Sequence, residues 1–207
     1  MKIYRFITSP IQTNTYLAFD ETKEGFIVDP GDYSPALTDR ARSEGLHIGW
    51  ILLTHGHGDH ISGVPAYRKE FPGIQVLASE KEKDFLLDDA HNGSADFLNK
   101  PLSLTCDRYV KDGEKLTIGS MELTFLSTPG HTPGGQAIYT PGFVFTGDTL
   151  FRLSVGRTDF YGGDFAALEK SVREKLFTLP PHTSVLPGHM DETTIELEKE
   201  HNPFVRP

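Results

Sequence analysis

Four apolar runs in this chain end the same way. ILLTHGHGDH (51–60), TFLSTPGH (124–131), FVFTGD (143–148) and VLPGH (185–189) each break at Thr, Pro or Gly and then present a histidine or an aspartate. A short continuous apolar run bounded by turn residues reads as a buried strand. Strand ends at a common sheet edge are where residues distant in sequence are assembled into sites. A fold that accommodates all four runs in this way can bring His55, His57, Asp59, His60, His131, Asp148 and His189 together.

The rest of the chain supplies the layers. KIYRFIT, TNTYLAFD and EGFIVDPG, within residues 2–31, are turn-bounded segments of an antiparallel meander. PALTDRARSEG (35–45) reads as a helix with Ser34 as N-cap and Gly45 as its stop, and IGWILL (48–53) as a buried strand. ISGVPAYRKEF then reads as a helix, IQVLAS as a strand and EKEKDFLLDDAHNG as a helix ending near Gly93; residues 94–107 show no period and read as a loop. Strands resume in RYVKDGEKLTIGS, MELTFLST, GQAIYTP and FVFTG. A helix over DFAALEKSVREKLFTL follows, with apolar positions at Phe165, Leu168, Val172, Leu176 and Leu179. VLPGH ends a last strand and TTIELEKEHN makes a last helix. This order predicts an α/β (α+β) chain in two halves, each a sheet covered by helices on one face, packed sheet to sheet as a four-layer αββα sandwich. At 207 residues, one domain over 1–207 is expected.

Imidazole and carboxylate are the ligands that zinc and iron(II) accept, and seven of them exceed what one tetrahedral ion needs. Two divalent ions are therefore expected, zinc first, with iron or manganese compatible with the same donors. THGHGDH by itself also suits a flexible polar loop; the three further strand-end ligands weigh against that. Gly56 and Gly58 are expected to let the backbone turn sharply enough for near neighbours to face different ions. Asp148, alone at its strand end, is the candidate bridge. His47, His91, His182 and His201 read as ordinary solvated or hydrogen-bonded histidines, and the single cysteine, Cys106, as a packed core thiol.

Charge narrows the partners. A net charge of −9 with scattered Lys and Arg argues against a nucleic-acid partner. No run of about eighteen apolar residues occurs, which argues against a membrane span. The beginning, MKIYRFITSPIQTNTY, lacks a basic patch followed by an apolar core, so a cytoplasmic location is expected. The sequence is silent on oligomeric state.

The motifs resemble those of the metallo-β-lactamase superfamily, whose HxHxDH signature stands here as His55, His57, Asp59 and His60, followed by STPGHTPGG, FTGDTLF and LPGH. The resemblance implies the αββα fold independently. It also implies that His55, His57 and His131 bind one metal and Asp59, His60 and His189 a second, with Asp148 bridging. Asp29 in VDPG matches a position that orients a ligand rather than binding the ion. GRTDFYGGD (156–164) and the ending TTIELEKEHNPF resemble the glyoxalase II-like, or hydroxyacylglutathione hydrolase-like, branch. Two-domain members of that branch continue into a glutathione-binding helical domain, whereas this chain stops at Pro207.

The function expected is that of a metal-dependent hydrolase cleaving a small-molecule thiol ester such as S-2-hydroxyacylglutathione. A hydroxide shared by the two ions would attack, with Asp59 and Asp148 as the catalytic carboxylates. Arg157 is a candidate to hold a substrate carboxylate, and Tyr161 and Arg152 are weaker candidates of the same kind. Persulfide dioxygenases share the GRTDF stretch and are the rival, with one iron(II) on His55, His57 or His131 together with Asp148. A binding module with structural metal is the third reading, disfavoured because structural zinc cages are closed and usually cysteine-rich. Lactamase and tRNA-nuclease activities, also within the superfamily, fit less well with a chain that has no export signal and is acidic.

Overall fold

The first three turn-bounded segments form the expected meander in the computed structural model, which describes residues 1–207 apart from the side chain of Phe97. β1 (Lys2–Thr8), β2 (Thr13–Phe19) and β3 (Glu24–Val28) pair antiparallel in that order. In α1 (Pro35–Glu44) the Leu37 N–H donates to Ser34 Oγ at 3.3 Å, and Gly45 stops the helix with φ of 66°. The chain returns as β4 (His47–Leu52), parallel to β3. α2 (Gly58–Ile61) and α3 (Val64–Glu70) lead to β5 (Gln75–Ser79). A 3₁₀ turn (Glu80–Glu82), α4 (Lys83–Leu87) and α5 (Ser94–Leu98) then lead to β6 (Arg108–Val110), which completes the first sheet in the order β1-β2-β3-β4-β5-β6.

The second sheet repeats the plan. β7 (Lys115–Ile118), β8 (Met121–Ser127), β9 (Gln136–Thr140) and β10 (Phe143–Gly147) form a meander. A small hairpin, β11 (Leu150–Phe151) and β12 (Ser154–Val155), intervenes before α6 (Phe165–Ser171), which continues as a π turn (Val172–Leu176). β13 (Ser184–Pro187) lies parallel to β10, and β14 (Thr193–Thr194) and α7 (Ile195–His201) end the chain. The sheet order is β14-β13-β10-β9-β8-β7.

Strand alternation sorts the apolar residues into three layers of contact. Leu17, Ile27, Ile51 and Val76 stand opposite one another across β2 to β5 and face α1 and α3 through Leu37, Ala41, Val64 and Tyr67. Their neighbours Ala18, Phe26 and Leu52 face the other way and meet Phe125, Ile138, Phe145 and Leu186 of the second sheet. The outer face of that sheet, with Ala137, Val144 and Val185, is covered by Leu168, Val172, Leu176 and Ile195. Three cores between four layers make the αββα sandwich expected from the element order. Cys106 is buried in the first of them.

Some boundaries differ from the sequence reading. The loop expected over 94–107 contains α5, a five-residue helix too short to show a period, flanked by left-handed Gly93 and Asn99. The helix expected to run to Gly93 stops at Leu87, because Asp88 turns extended and its carboxylate accepts the His91 N–H. The helix expected from 61 to 71 is broken at Gly63, ahead of Pro65. The β11–β12 hairpin carries no signal long enough to read.

Candidate metal centre

β8 and β10 both run antiparallel to β9, and β13 runs parallel to β10, so the three strands leave the second sheet at one edge. β4 of the first sheet ends against that edge. There the Gln136 N–H donates to Thr54 O at 2.9 Å and the Gln136 amide to Leu53 O at 2.8 Å. The Asn14 N–H donates to Gly188 O at 2.7 Å, and Tyr16 Oη to Pro187 O at 2.8 Å. These bonds tie the end of β4 to β9 of the second sheet and the end of β13 to β2 of the first.

All seven strand-end residues meet at this edge. Donor atoms of His55, His57 and His131 lie within 4.8 Å of one another, as do those of Asp59, His60 and His189. Asp148 stands between the two trios: its Oδ2 is 3.6 Å from Nε2 of His131 and 3.6 Å from Nε2 of His189, and its Oδ1 is 3.5 Å from Nε2 of His60. Nε2 of His55, His57 and His60 and Oδ1 of Asp148 are buried with no hydrogen-bond partner. Buried polar atoms are normally paired, and four orphans of ligand type at one place fit a pair of divalent ions.

The opposite ring atoms are held. His131 Nδ1 donates to Arg157 O at 2.7 Å, which turns Nε2 towards His57 Nδ1, 2.9 Å away. Asp29 accepts three bonds, from Thr54 N–H at 2.8 Å, from Thr54 Oγ1 at 2.5 Å and from His60 Nδ1 at 3.1 Å. Thr54 Oγ1 in turn takes His55 Nδ1 at 3.0 Å. Asp29 with His55 and His60 also forms a trio within 4.8 Å, but its oxygens are already committed, so it orients both rings through these bonds. Thr13 Oγ1 donates to Asp59 Oδ2 at 2.8 Å.

Charge divides between the two halves. Burial, then the neighbouring imidazoles, push His55 and His57 well below the ordinary histidine range, and burial lowers His131 despite Asp148. That direction favours the neutral imidazole, the form that binds a metal. Burial opposes charge on His60 and His189 too, yet Asp59 and Asp148 hold both above the usual value. Asp59 is held well below the carboxylate range although burial works against it, by His60 and by its bond with His189.

The glycines are required for a reason other than the one expected. Neither Gly56 nor Gly58 has a positive φ. A Cβ on Gly58 would stand 2.6 Å from Ser94 Cα, and one on Gly56 would stand 2.9 Å from Leu86 Cδ2. Close packing of α4 and α5 against the loop, not a sharp turn, excludes side chains. Gly188 is constrained likewise, since its Cβ would lie 2.2 Å from Asp148 Oδ1. The sequence reading missed Thr13, Thr54, Gly188 and Glu82, whose carboxylate accepts the Gly56 N–H at 2.9 Å. Of these, Thr54 in LLTH and Gly188 in LPGH carried a visible signal, as the residues at which their strands break.

A cavity of about 500 Å³ opens over the ligands, with His57, Asp59, His131, Asp148 and His189 in its floor and Ile11, Phe151, Val155, Phe160 and Met190 in its walls. Of the three substrate candidates only Arg157 lines it. Its Nε and Nη2 donate to the two Asp159 oxygens at 2.7 Å each, and the guanidinium lies 3.7 Å over the Phe160 ring. Arg152 is a correction: it lies in a separate depression with Arg5, Asp191 and Glu192, because the β11–β12 turn points it away from the ligands. Tyr161 is a second correction, being 58% exposed and stacked on His91 at 3.8 Å outside the cavity lining. His47, His91, His182 and His201 pair with Glu24, Asp88, Glu196 and Glu200 away from the centre. Among the described residues no helix is long and apolar enough to cross a membrane.

Residues 8–189 match the family model of the metallo-beta-lactamase superfamily. The chain is 37% identical to the probable metallo-hydrolase YqgX of Bacillus subtilis, over 99% of this chain and 98% of that one. It is 34% identical to the hydroxyacylglutathione hydrolase GloC of Haemophilus influenzae, with the same coverage. Among solved structures it resembles the BLEG-1 B3 metallo-beta-lactamase (TM-score 0.92, 39% identity, 100% of both chains). It is also similar to TTHA1623 in a di-iron-bound form (0.85, 33%, 98% and 100%) and to ETHE1 from Myxococcus xanthus (0.80, 30%, 98% and 84%).

Proposed function

The chain belongs to the metallo-beta-lactamase superfamily and is a metallo-hydrolase that binds divalent metal, and from that premise we propose that it hydrolyses thiol esters of the S-2-hydroxyacylglutathione kind on a dinuclear, zinc-loaded centre. One observation carries this reading. Two trios of ligand atoms flank Asp148 at the floor of an apolar-walled cavity, so both would face a substrate there. Two divalent ions, when bound, lower the pKa of water towards about 7 and favour negative charge developing on a carbonyl oxygen.

The chain's own residues do the rest. His55, His57 and His131 would hold one ion and Asp59, His60 and His189 the other, with Asp148 shared. Asp59 and Asp148 would also orient the attacking water by accepting its proton-bearing side, and Thr13 keeps the Asp59 carboxylate turned. The apolar walls exclude bulk water from the acyl group. Among the described residues no general acid besides the ligand set lines the cavity, which suits a thiolate, a leaving group that needs no proton. The similarity to GloC supports a glutathione carrier. Arg157 would contact a carrier carboxylate through the N–H groups that Asp159 does not occupy.

The similarity to ETHE1 keeps the persulfide dioxygenase reading as the rival. The second trio favours hydrolysis, since a single iron has no use for Asp59, His60 and His189 together. Zinc-, iron- and manganese-loaded protein should be given S-lactoylglutathione, glutathione persulfide with an oxygen electrode, and a chromogenic β-lactam. Thiol ester cleavage that is lost in His57→Ala and Asp148→Ala and absent from metal-stripped protein is the expected result. Oxygen uptake without thiol ester cleavage would overturn it, as would β-lactam turnover alone.

A further inference from the structure

Glu82 has a fully buried carboxyl that the chemistry above does not use. It ends the 3₁₀ turn before α4 and reaches both loops that carry the first trio. Its Oε1 accepts the N–H of Gly56, the residue between His55 and His57, at 2.9 Å. Its Oε2 makes no hydrogen bond and lies against the turn that follows His131: a Cβ on Gly134 would stand 2.4 Å from it. The Thr132 hydroxyl, next to His131, is buried and unpaired as well. One turn further on, Phe85 packs its ring on His57 with centroids 5.2 Å apart.

Among the described residues no cation acts on this carboxyl. Burial, outweighing the polar groups of Gly56, Thr132 and Gly134 that face it, pushes its pKa up to about 7. An apolar side chain would be easier to bury here, but it would leave the buried Gly56 N–H without an acceptor. A forked side chain with two oxygens can meet two loops at once.

We propose that Glu82 is a positioning residue, which fixes the His55–His57 turn and the His131 turn relative to each other and so sets the spacing of the three imidazoles around the first metal. This rests on the metal-centre reading of the site and not on the identity of the substrate.

Zinc titration against a competing chelator tests it, with long-range ¹H–¹⁵N imidazole spectra to distinguish the two trios. Glu82→Ala and the shorter Glu82→Asp are expected to weaken the first ion about 10- to 100-fold, the usual cost of losing a group that orients ligands. The His55, His57 and His131 resonances should shift, while those of His60 and His189 stay. Glu82→Gln, which keeps an acceptor for Gly56, should restore most of the affinity. If Glu82→Ala does not fold, Glu82→Asp and Glu82→Gln carry the comparison. Wild-type affinity and spectra in Glu82→Asp overturn the proposal, as does equal loss of both ions in a folded variant. A wild type that takes up no zinc overturns the metal-centre reading itself.

Discussion

Glu82→Gln should change how stability depends on pH in the metal-free protein. The folded carboxyl titrates at about 7, against an ordinary value of 4.5 in the unfolded chain, and burial is the main cause. Between those values the folded chain keeps a proton that the unfolded chain releases. The wild type is therefore least penalised below pH 4.5 and loses stability as pH rises towards 7. The difference of about 2.5, at about 1.4 kcal/mol per pH unit, amounts to about 3–4 kcal/mol. Glutamine is neutral throughout and keeps the acceptor for Gly56, so its stability carries no such slope. Urea unfolding of both proteins at pH 5 and pH 8, with a chelator present, measures the contrast. The variant should gain about 2–3 kcal/mol on the wild type between the two pH values, since most of the titration falls inside that window. Parallel curves would refute the reasoning, because they would mean that the carboxyl is solvated or already neutralised by a group not in contact with it.

Other perturbations give distinct results. Asp29→Asn leaves the His60 ring without its carboxylate and should weaken the second ion about 10- to 100-fold in zinc titrations, more than the first. Gly58→Ala forces a Cβ on Ser94 backbone, whereas Gly56→Ala meets the side chains of Leu86 and Phe85, which can give way. Thermal unfolding should show the larger loss for Gly58→Ala, on the order of 1–3 kcal/mol. Asp159→Asn frees the guanidinium of Arg157 from its paired carboxylate, so KM for an anionic thiol ester should fall while kcat changes little. An unchanged KM would remove Arg157 from substrate binding.

The candidate ligand set was legible because each member announces itself locally, as a histidine or aspartate placed just after an apolar run that ends at Thr, Pro or Gly. The layer order was legible for a related reason: strand alternation commits Leu17, Ile27 and Ile51 to one face and Ala18, Phe26 and Leu52 to the other. Short elements were not. α5 and the β11–β12 hairpin are stabilised by what they pack against, and five or two residues are too few to show a period.

The sequence by itself determined the candidate donors, seven histidines and aspartates at strand ends, and the fold class that gathers them. Only the tertiary structure decided which neighbours serve them. Arg152 and Arg157 look equivalent in FRLSVGRTDF, yet the hairpin turn at Leu153, with φ of 54°, sends one away from the cavity and leaves the other on its wall. Glu80 and Glu82 look equivalent in SEKEKDF, yet one is exposed and the other fully buried between two ligand loops. The physical reason is the same in both cases. A residue's chemistry is local, but its burial and direction depend on contacts with segments far away in the chain, and no short stretch of sequence contains them.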